Sequence, residues 1–493
     1  MNDFFGLMKQ EQAKTEMVRT DNGALAYASS GHPLVDFNFA VSSMRDADSN
    51  KVLHKFIDCV DEDHDLAIKY LFYLGDIREG IGERRAFRIC LAWVANHEPE
   101  LAKKLFWLVP EYNRWDSIFC LWDKKLEGFL MASLKEKLET DLASCNAGQG
   151  VSLLAKWMPS EKSCHGEAAK KIIEAFGWTP RQYRKTLSKL RAYLDVVEVK
   201  TSANQWGEID YSKVPSRANS LYSEAFLKHD GDRRKEFLNK VLSGEKTMNA
   251  NVSQPHEIIK MIRAGKDSIT VEAMWQSLPK FEGVDNMLVV RDGSGSMAWS
   301  GGSVVPMDVA TALAIYVAEN NVGVYKDKFI TFSENPRFVD LSNCQGVVEK
   351  YHRTMRYTEC ASTDIEKTMM LVLNTAVANN VSLEEMPGTI LIISDMEFNM
   401  ATCRNNKALF DSIADRFRRA GYFLPKIVFW NVAAHKIDAP VPMQRNDRGV
   451  LLLSGFSTQL MRMVMSHKLD PYEALVEILN SDRYKPVQDA LNS

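Results

Sequence analysis

The stretch Met287–Met297 reads MLVVRDGSGSM, and the rest of the chain is best understood from it. A short apolar run reaches Asp292 and then breaks into alternating glycine and serine. Such a run predicts a strand buried on both faces, and the glycines allow a tight turn at its carboxyl end. Asp292, Ser294 and Ser296 are alternate residues, so an extended loop brings their oxygens toward one point. One carboxylate with two hydroxyls is a hard-oxygen set that suits Mg²⁺, Mn²⁺ or Ca²⁺ rather than zinc. The same letters also suit a Gly/Ser turn carrying a helix N-cap, so the context decides.

Three further apolar runs follow: Lys328–Phe332 (KFITF), Thr389–Ile393 (TILII) and Lys426–Trp430 (KIVFW). Helical patterns lie between them at Met307–Ala318 and Asp364–Ala378. Alternation of this kind predicts a parallel sheet covered by helices on both faces. Ligands gather at the carboxyl ends of such strands, where Asp292 and Asp395 both fall. Thr363 lies just before a helix in ASTDIEK.

With these residues in view, the segment resembles the von Willebrand factor A domains and their metal-ion-dependent adhesion site. The resemblance implies that Asp292, Ser294 and Ser296 form the first ligand motif, Thr363 the second and Asp395 the third. It also implies one divalent cation, Mg²⁺ first and Mn²⁺ or Ca²⁺ as alternatives. Arg291 departs from the pattern, since such domains usually keep an apolar residue there.

The whole sequence, 493 residues and 45% hydrophobic, is long enough for two or more cores. Its net charge of −3 argues against a generally basic nucleic-acid coat. Eight scattered cysteines without a CxxC pair favour a reducing compartment over a disulfide framework or structural zinc. Neither a signal peptide nor a membrane-length apolar run is legible, so the expectation is a cytoplasmic protein without membrane contact. Neither HExxH nor a P-loop occurs, and GIGERR (Gly80–Arg85) lacks the third glycine of a dinucleotide loop. DGSGS lacks the second carboxylate of a DxD phosphatase pattern and Ser294 has no local histidine, so the expectation is not an enzyme.

Residues 1–50 read as an N-terminal arm. From 51 to 280 helical periodicity dominates, as in Leu66, Tyr70, Leu71 and Leu74, or Phe87, Cys90, Leu91 and Val94. Turn signals at Arg78–Gly82, Pro99, Pro110, Pro159 and Pro180 separate these helices. In LVPEYNRWD, Glu111 and Arg114 can pair at helical spacing. Serial helices with short connections predict an all-α, HEAT-like array, open or closed into a ring, although no strict repeat period is present. The α/β domain should span 284–465, and 466–493 should form a helical tail.

The helical half resembles the TROVE-related family, which joins such a module to a von Willebrand A domain. The resemblance lies in FYLGDIREGIGERRAFR, LVPEYNRWD, LLAKWMPSEKS and DYSKVPSRA, followed in the same order by ITFSENP, ISDMEFN, IVFWNV and LLLSGFS. The closer match is to an uncharacterised branch of that family. Members related to the Ro ribonucleoprotein close the helices into a ring that binds ends of aberrant RNAs and small structured RNAs. RNA binding is therefore implied by analogy, with a protein partner at the cation site as a further implication. The alternative is a metal-dependent protein-interaction or scaffold module without RNA.

Charge distribution points to where RNA would bind. Acids outnumber bases over residues 1–100, whereas bases are double the acids over 151–200. Arg181, Arg184, Lys185, Lys189 and Arg191 occur without an intervening acid. On a helix, Tyr183, Leu187, Leu190 and Leu194 would face inward and leave most of these cations outside. Trp157, Tyr183, Tyr193 and Trp206 are interleaved with Lys156 and Arg217, a mixture suited to phosphates and stacked bases. A solvated basic helix face with core aromatics has the same appearance in sequence.

Overall fold

A computed structural model describes residues 17–19, 25–27, 29–122, 125–250, 253–281, 286–298, 304–333, 335–358, 364–396, 406–432, 450–455, 460–461, 464 and 470–493. Helices fill the first half and a mixed α/β sheet the second. Among the described residues before 280 the exception is a two-stranded hairpin, β1 (Met17–Arg19) with β2 (Leu25–Tyr27).

The expected strands form, as β3 (Met287–Asp292), β4 (Lys328–Phe332), β6 (Thr389–Ser394) and β7 (Lys426–Asn431). β5 (Phe338–Asp340) and β8 (Val450–Ser454) complete a six-stranded sheet in the order β5-β4-β3-β6-β7-β8. Every pairing is parallel except β4 with β5. A connection of only a few residues joins β4 to β5, too short for a crossover, so the edge strand must run back antiparallel.

The two-residue period of the strands sorts the core. Val290, Ile330, Ile390, Ile392, Ile427 and Phe429 meet Ile365, Met369, Leu373, Ile413 and Phe417 on one face. Val289, Phe329, Leu391, Ile393, Val428 and Trp430 face the other way, toward Val309 and Leu313, in a core continuous with that of the helical half. The covering helices are Pro306–Asn320 on this face and Ile365–Asn379 on the first, matching the predicted patterns.

The N-terminal segment expected as an arm contains a helix, Pro33–Phe39. Val35 and Phe39 enter the core of the first sheet face, while Leu34 and Phe37 enter the larger core. Asn431 donates to the Phe39 carbonyl at 3.1 Å, and His32 stacks on Tyr472 with ring centroids 3.8 Å apart. The predicted tail helix forms over Pro471–Leu479, with Leu475 and Leu479 buried.

Helix Pro255–Arg263 packs on helix Pro306–Asn320, joining the two halves. Arg263 pairs with the largely buried Asp308 at 3.0 Å. Trp275 donates to Glu319 at 2.7 Å, and Lys350 reaches Glu319 at 2.8 Å and Asp327 at 2.6 Å. Glu272 accepts from the backbone N–H groups of Val347 at 2.8 Å and Val348 at 3.0 Å. A carboxylate from the helical half thus caps the N-terminus of helix Gly346–Met355.

Candidate functional sites: an oxygen cluster and an arginine cluster

β3 carries Asp292 to the carboxyl edge of the sheet, and the adjacent β6 delivers Ser394 and then Asp395. Asp292 and Asp395 are both buried. Oδ1 of Asp292 accepts from the Ser294 backbone N–H at 2.9 Å, and Oδ2 accepts from Ser394 Oγ at 2.6 Å. Burial raises the Asp292 pKa, opposed by these hydrogen bonds and by Arg291. The GSGS loop turns into a short 3₁₀ segment, Ser296–Ala298, which sets the Ser294 and Ser296 hydroxyls 3.0 Å apart. Four of the five predicted ligands therefore lie in the β3 loop or at the end of its neighbour β6. Thr363 lies outside the described residues.

This donor set fits a hard divalent cation, because it offers two carboxylates and two hydroxyls and no sulfur or imidazole. Among the described residues no group of three or more His, Cys, Asp or Glu is arranged for a metal. A hydroxyl-rich site is not of that kind.

Arg291, unassigned by the sequence, is fully buried on the sheet face that carries Val289. Its Nη2 donates to Thr311 Oγ1 at 3.0 Å and Thr358 Oγ1 at 3.3 Å and contacts the Met307 sulfur at 2.8 Å. Nε and Nη1 have no hydrogen-bond partner among the described residues. Burial lowers its pKa to about 10, although Asp292 and Tyr351 act to raise it. A Cβ on Gly293 would sit 3.1 Å from Nη1, so the guanidinium lies directly under the loop.

The predicted basic helix forms over Pro180–Tyr193 with Tyr183, Leu187 and Leu190 buried, but its cations do not form one free patch. Arg191 donates to the carbonyls of Ala155 at 2.9 Å and Met158 at 2.7 Å and to Ser160 at 3.0 Å, fastening the helix to the preceding segment. Arg184 pairs with Glu161 at 2.7 Å, and Lys189 bonds Asn146. Arg181 and Lys185 are exposed. Lys156 lies 3.7 Å from Glu198.

Arg217 belongs elsewhere. It acts electrostatically on Arg84, together with Arg114 and Arg88, and Asp116 opposes them. Burial and these neighbours lower the Arg84 pKa to about 10. Asp116 is shared: its Oδ2 lies 2.8 Å from Arg88 Nη2 and also meets Arg114 Nη2, while Arg114 Nε donates to Oδ1 at 2.9 Å. Arg114 thus pairs with Asp116, not with Glu111, because the chain leaves the helix at Asn113. The Arg114 guanidinium stacks over Trp157 at 4.2 Å, and Lys156 lies 5.9 Å from the same ring. Four arginines and one carboxylate, from segments 84–88, 114–116 and 217, make a local positive excess beside an aromatic face.

The comparisons with known proteins follow both divisions of the chain. A family model described as a domain of unknown function, DUF2828, matches residues 20–126 and 178–285, and a second, DUF7788, matches 286–489. The chain is 30% identical to "Uncharacterized protein L728" of Acanthamoeba polyphaga mimivirus, over 95% of this chain and 88% of the relative. It belongs to the L728 family. Among solved structures, the Ro (RSR) protein of Deinococcus radiodurans is similar with a TM-score of 0.40 and 13% identity, covering 83% of this chain and 88% of that one. The boundary between the two family models in this L728-family chain, 285/286, coincides with the passage from helices to sheet.

Proposed function

We propose that this protein is a non-enzymatic RNA-binding protein whose helical half holds RNA at the arginine cluster. The observation that carries the reading is that Asp116 holds Arg88 and Arg114, with Arg84 and Arg217 in the same electrostatic neighbourhood and Arg114 stacked on Trp157. Clustered guanidiniums suit phosphate, and a neighbouring indole suits a splayed base. RNA with single-stranded ends is the favoured ligand, because the A-form major groove is closed to side chains. Arg181 and Lys185, exposed on their own helix, offer a secondary contact.

The C-terminal half is, in this reading, a von Willebrand factor A-like domain. The antiparallel edge strand, the parallel remainder and the DGSGS loop at the end of β3 support it. Asp292, Ser294, Ser296 and Asp395, with Thr363, would hold Mg²⁺, or Mn²⁺ or Ca²⁺ in its place. When bound, the cation offers a coordination position to an anionic oxygen, such as a partner carboxylate.

Gel shifts with structured RNAs, tailed and blunt, test the RNA reading. The pair Arg84→Glu/Arg217→Glu should weaken binding of tailed RNA at least tenfold, and Arg181→Glu/Lys185→Glu by only a few-fold. Equal, weak binding of every RNA by wild type and both variants would instead favour the protein-interaction module.

A further inference from the structure

Arg291 presents a charge with no obvious structural reward. A buried guanidinium normally takes a carboxylate and fills its donor positions. This one contacts two threonine hydroxyls and two thioethers, leaves Nε and Nη1 without a partner among the described residues, and lies directly beneath Gly293 of the oxygen loop. An apolar side chain would suit the site, since Val289 and Ile393 share its face of the sheet. The charge therefore matters through its field at the loop.

From this we infer that Arg291 makes cation binding conditional on an anionic ligand. The inference rests on the proposed cation site. Asp292 and Asp395 together bring two negative charges, and Arg291, farther from the cation than its ligands, offsets part of that attraction. A unit charge at loop distance, with an effective dielectric of about 20, changes divalent affinity by at least about tenfold. The cation alone is then held weakly, and a carboxylate on its open position restores the balance. Arg291 acts here as a positioning and tuning residue, not as a ligand.

Mn²⁺ titration calorimetry on the full-length protein, with and without excess acetate as the carboxylate probe, tests the inference. Wild type should bind Mn²⁺ more tightly in acetate than in an equal ionic strength of chloride. Arg291→Met and Arg291→Gln, the second keeping a polar group for Thr311, should each bind Mn²⁺ at least tenfold more tightly without acetate. Arg291→Lys should behave as wild type. A purely structural role predicts the opposite, weaker binding in the neutral variants. Unchanged or weaker affinity in whichever neutral variant folds, judged by thermal melting, overturns the inference. Should neither fold, absence of any acetate effect in wild type overturns it. Asp292→Ala separates the two levels: if it binds Mn²⁺ like wild type, the cation site itself is wrong. If it loses binding while the neutral Arg291 variants match wild type, only the coupling is wrong.

Discussion

At the scale of single residues, Asp292 is committed to the fold as well as to the proposed cation. Both its oxygens accept hydrogen bonds from the protein. Asp292→Ala should therefore cost about 1–3 kcal/mol by stranding the Ser394 hydroxyl and the Ser294 N–H. Asp292→Asn should stay within about 1 kcal/mol of wild type in urea melts yet lose Mn²⁺ binding, because it keeps the shape and loses the charge. Retained Mn²⁺ binding in the Asn variant would refute the ligand assignment. The β3 part of this proposed site is legible because the strand, the glycines and three of the oxygens are contiguous, whereas Asp395 arrives from β6. The sequence concealed the arginine cluster, whose members are up to 133 positions apart between Arg84 and Arg217. The only local trace was the i,i+4 spacing of Arg84 and Arg88 on one helix face. Conversely, the run from Arg181 to Arg191 looked like a patch because spacing says nothing of carbonyls arriving from residues 155–160.

Among the elements, helices and buried strands were legible because each carries its own period. β5 was not, since three residues of an exposed edge, FVD, have no pattern to detect. The Glu272 cap was equally hidden, being 75 residues from the N–H it serves. Gly346 sits at φ +77°, and a Cβ there would overlap the Glu272 carboxylate. Glu272→Ala should cost about 1 kcal/mol, in the usual range for removal of a cap, and Gly346→Ala more, since it adds backbone strain. Urea midpoints of the two variants check the order. Helix Pro255–Arg263 carries a pH dependence through His256, which is buried and has its pKa lowered to about 3 by burial, Arg45 and Lys260. The unfolded chain, with an imidazole near 6.5, takes up the proton first as pH falls. Stability should thus be unaffected by this group above about pH 6.5 and decline below it by up to about 1.4 kcal/mol per pH unit. Urea melts at pH 7 and pH 5 should show a smaller difference in His256→Leu than in wild type; an equal difference would remove His256 as the cause.

For the whole molecule, the end of the chain returns to its beginning. Arg483 reaches the fully buried Asp76 through two bonds of 2.8 and 3.0 Å, and Tyr484 donates to the same carboxylate at 3.2 Å while stacking on Tyr112. Helix Lys485–Asn492 packs on helices His64–Gly75 and Pro99–Leu105. Removal of residues 471–493 should therefore lower the melting temperature of the helical half, and Asp76→Ala should cost about 3 kcal/mol by stranding Arg483. The apolar pattern of the tail predicts a helix that packs back on the body, but not which surface it meets. The closure also places both halves in one framework, with the arginine cluster as the proposed RNA-binding surface. The most direct measurement of that claim is the slope of log affinity against log salt concentration for a tailed RNA. Wild type should show a steep negative slope, and Arg84→Glu/Arg217→Glu should flatten it by about one unit for each phosphate no longer neutralised. Superimposable slopes, or no salt-sensitive binding in wild type, would contradict it.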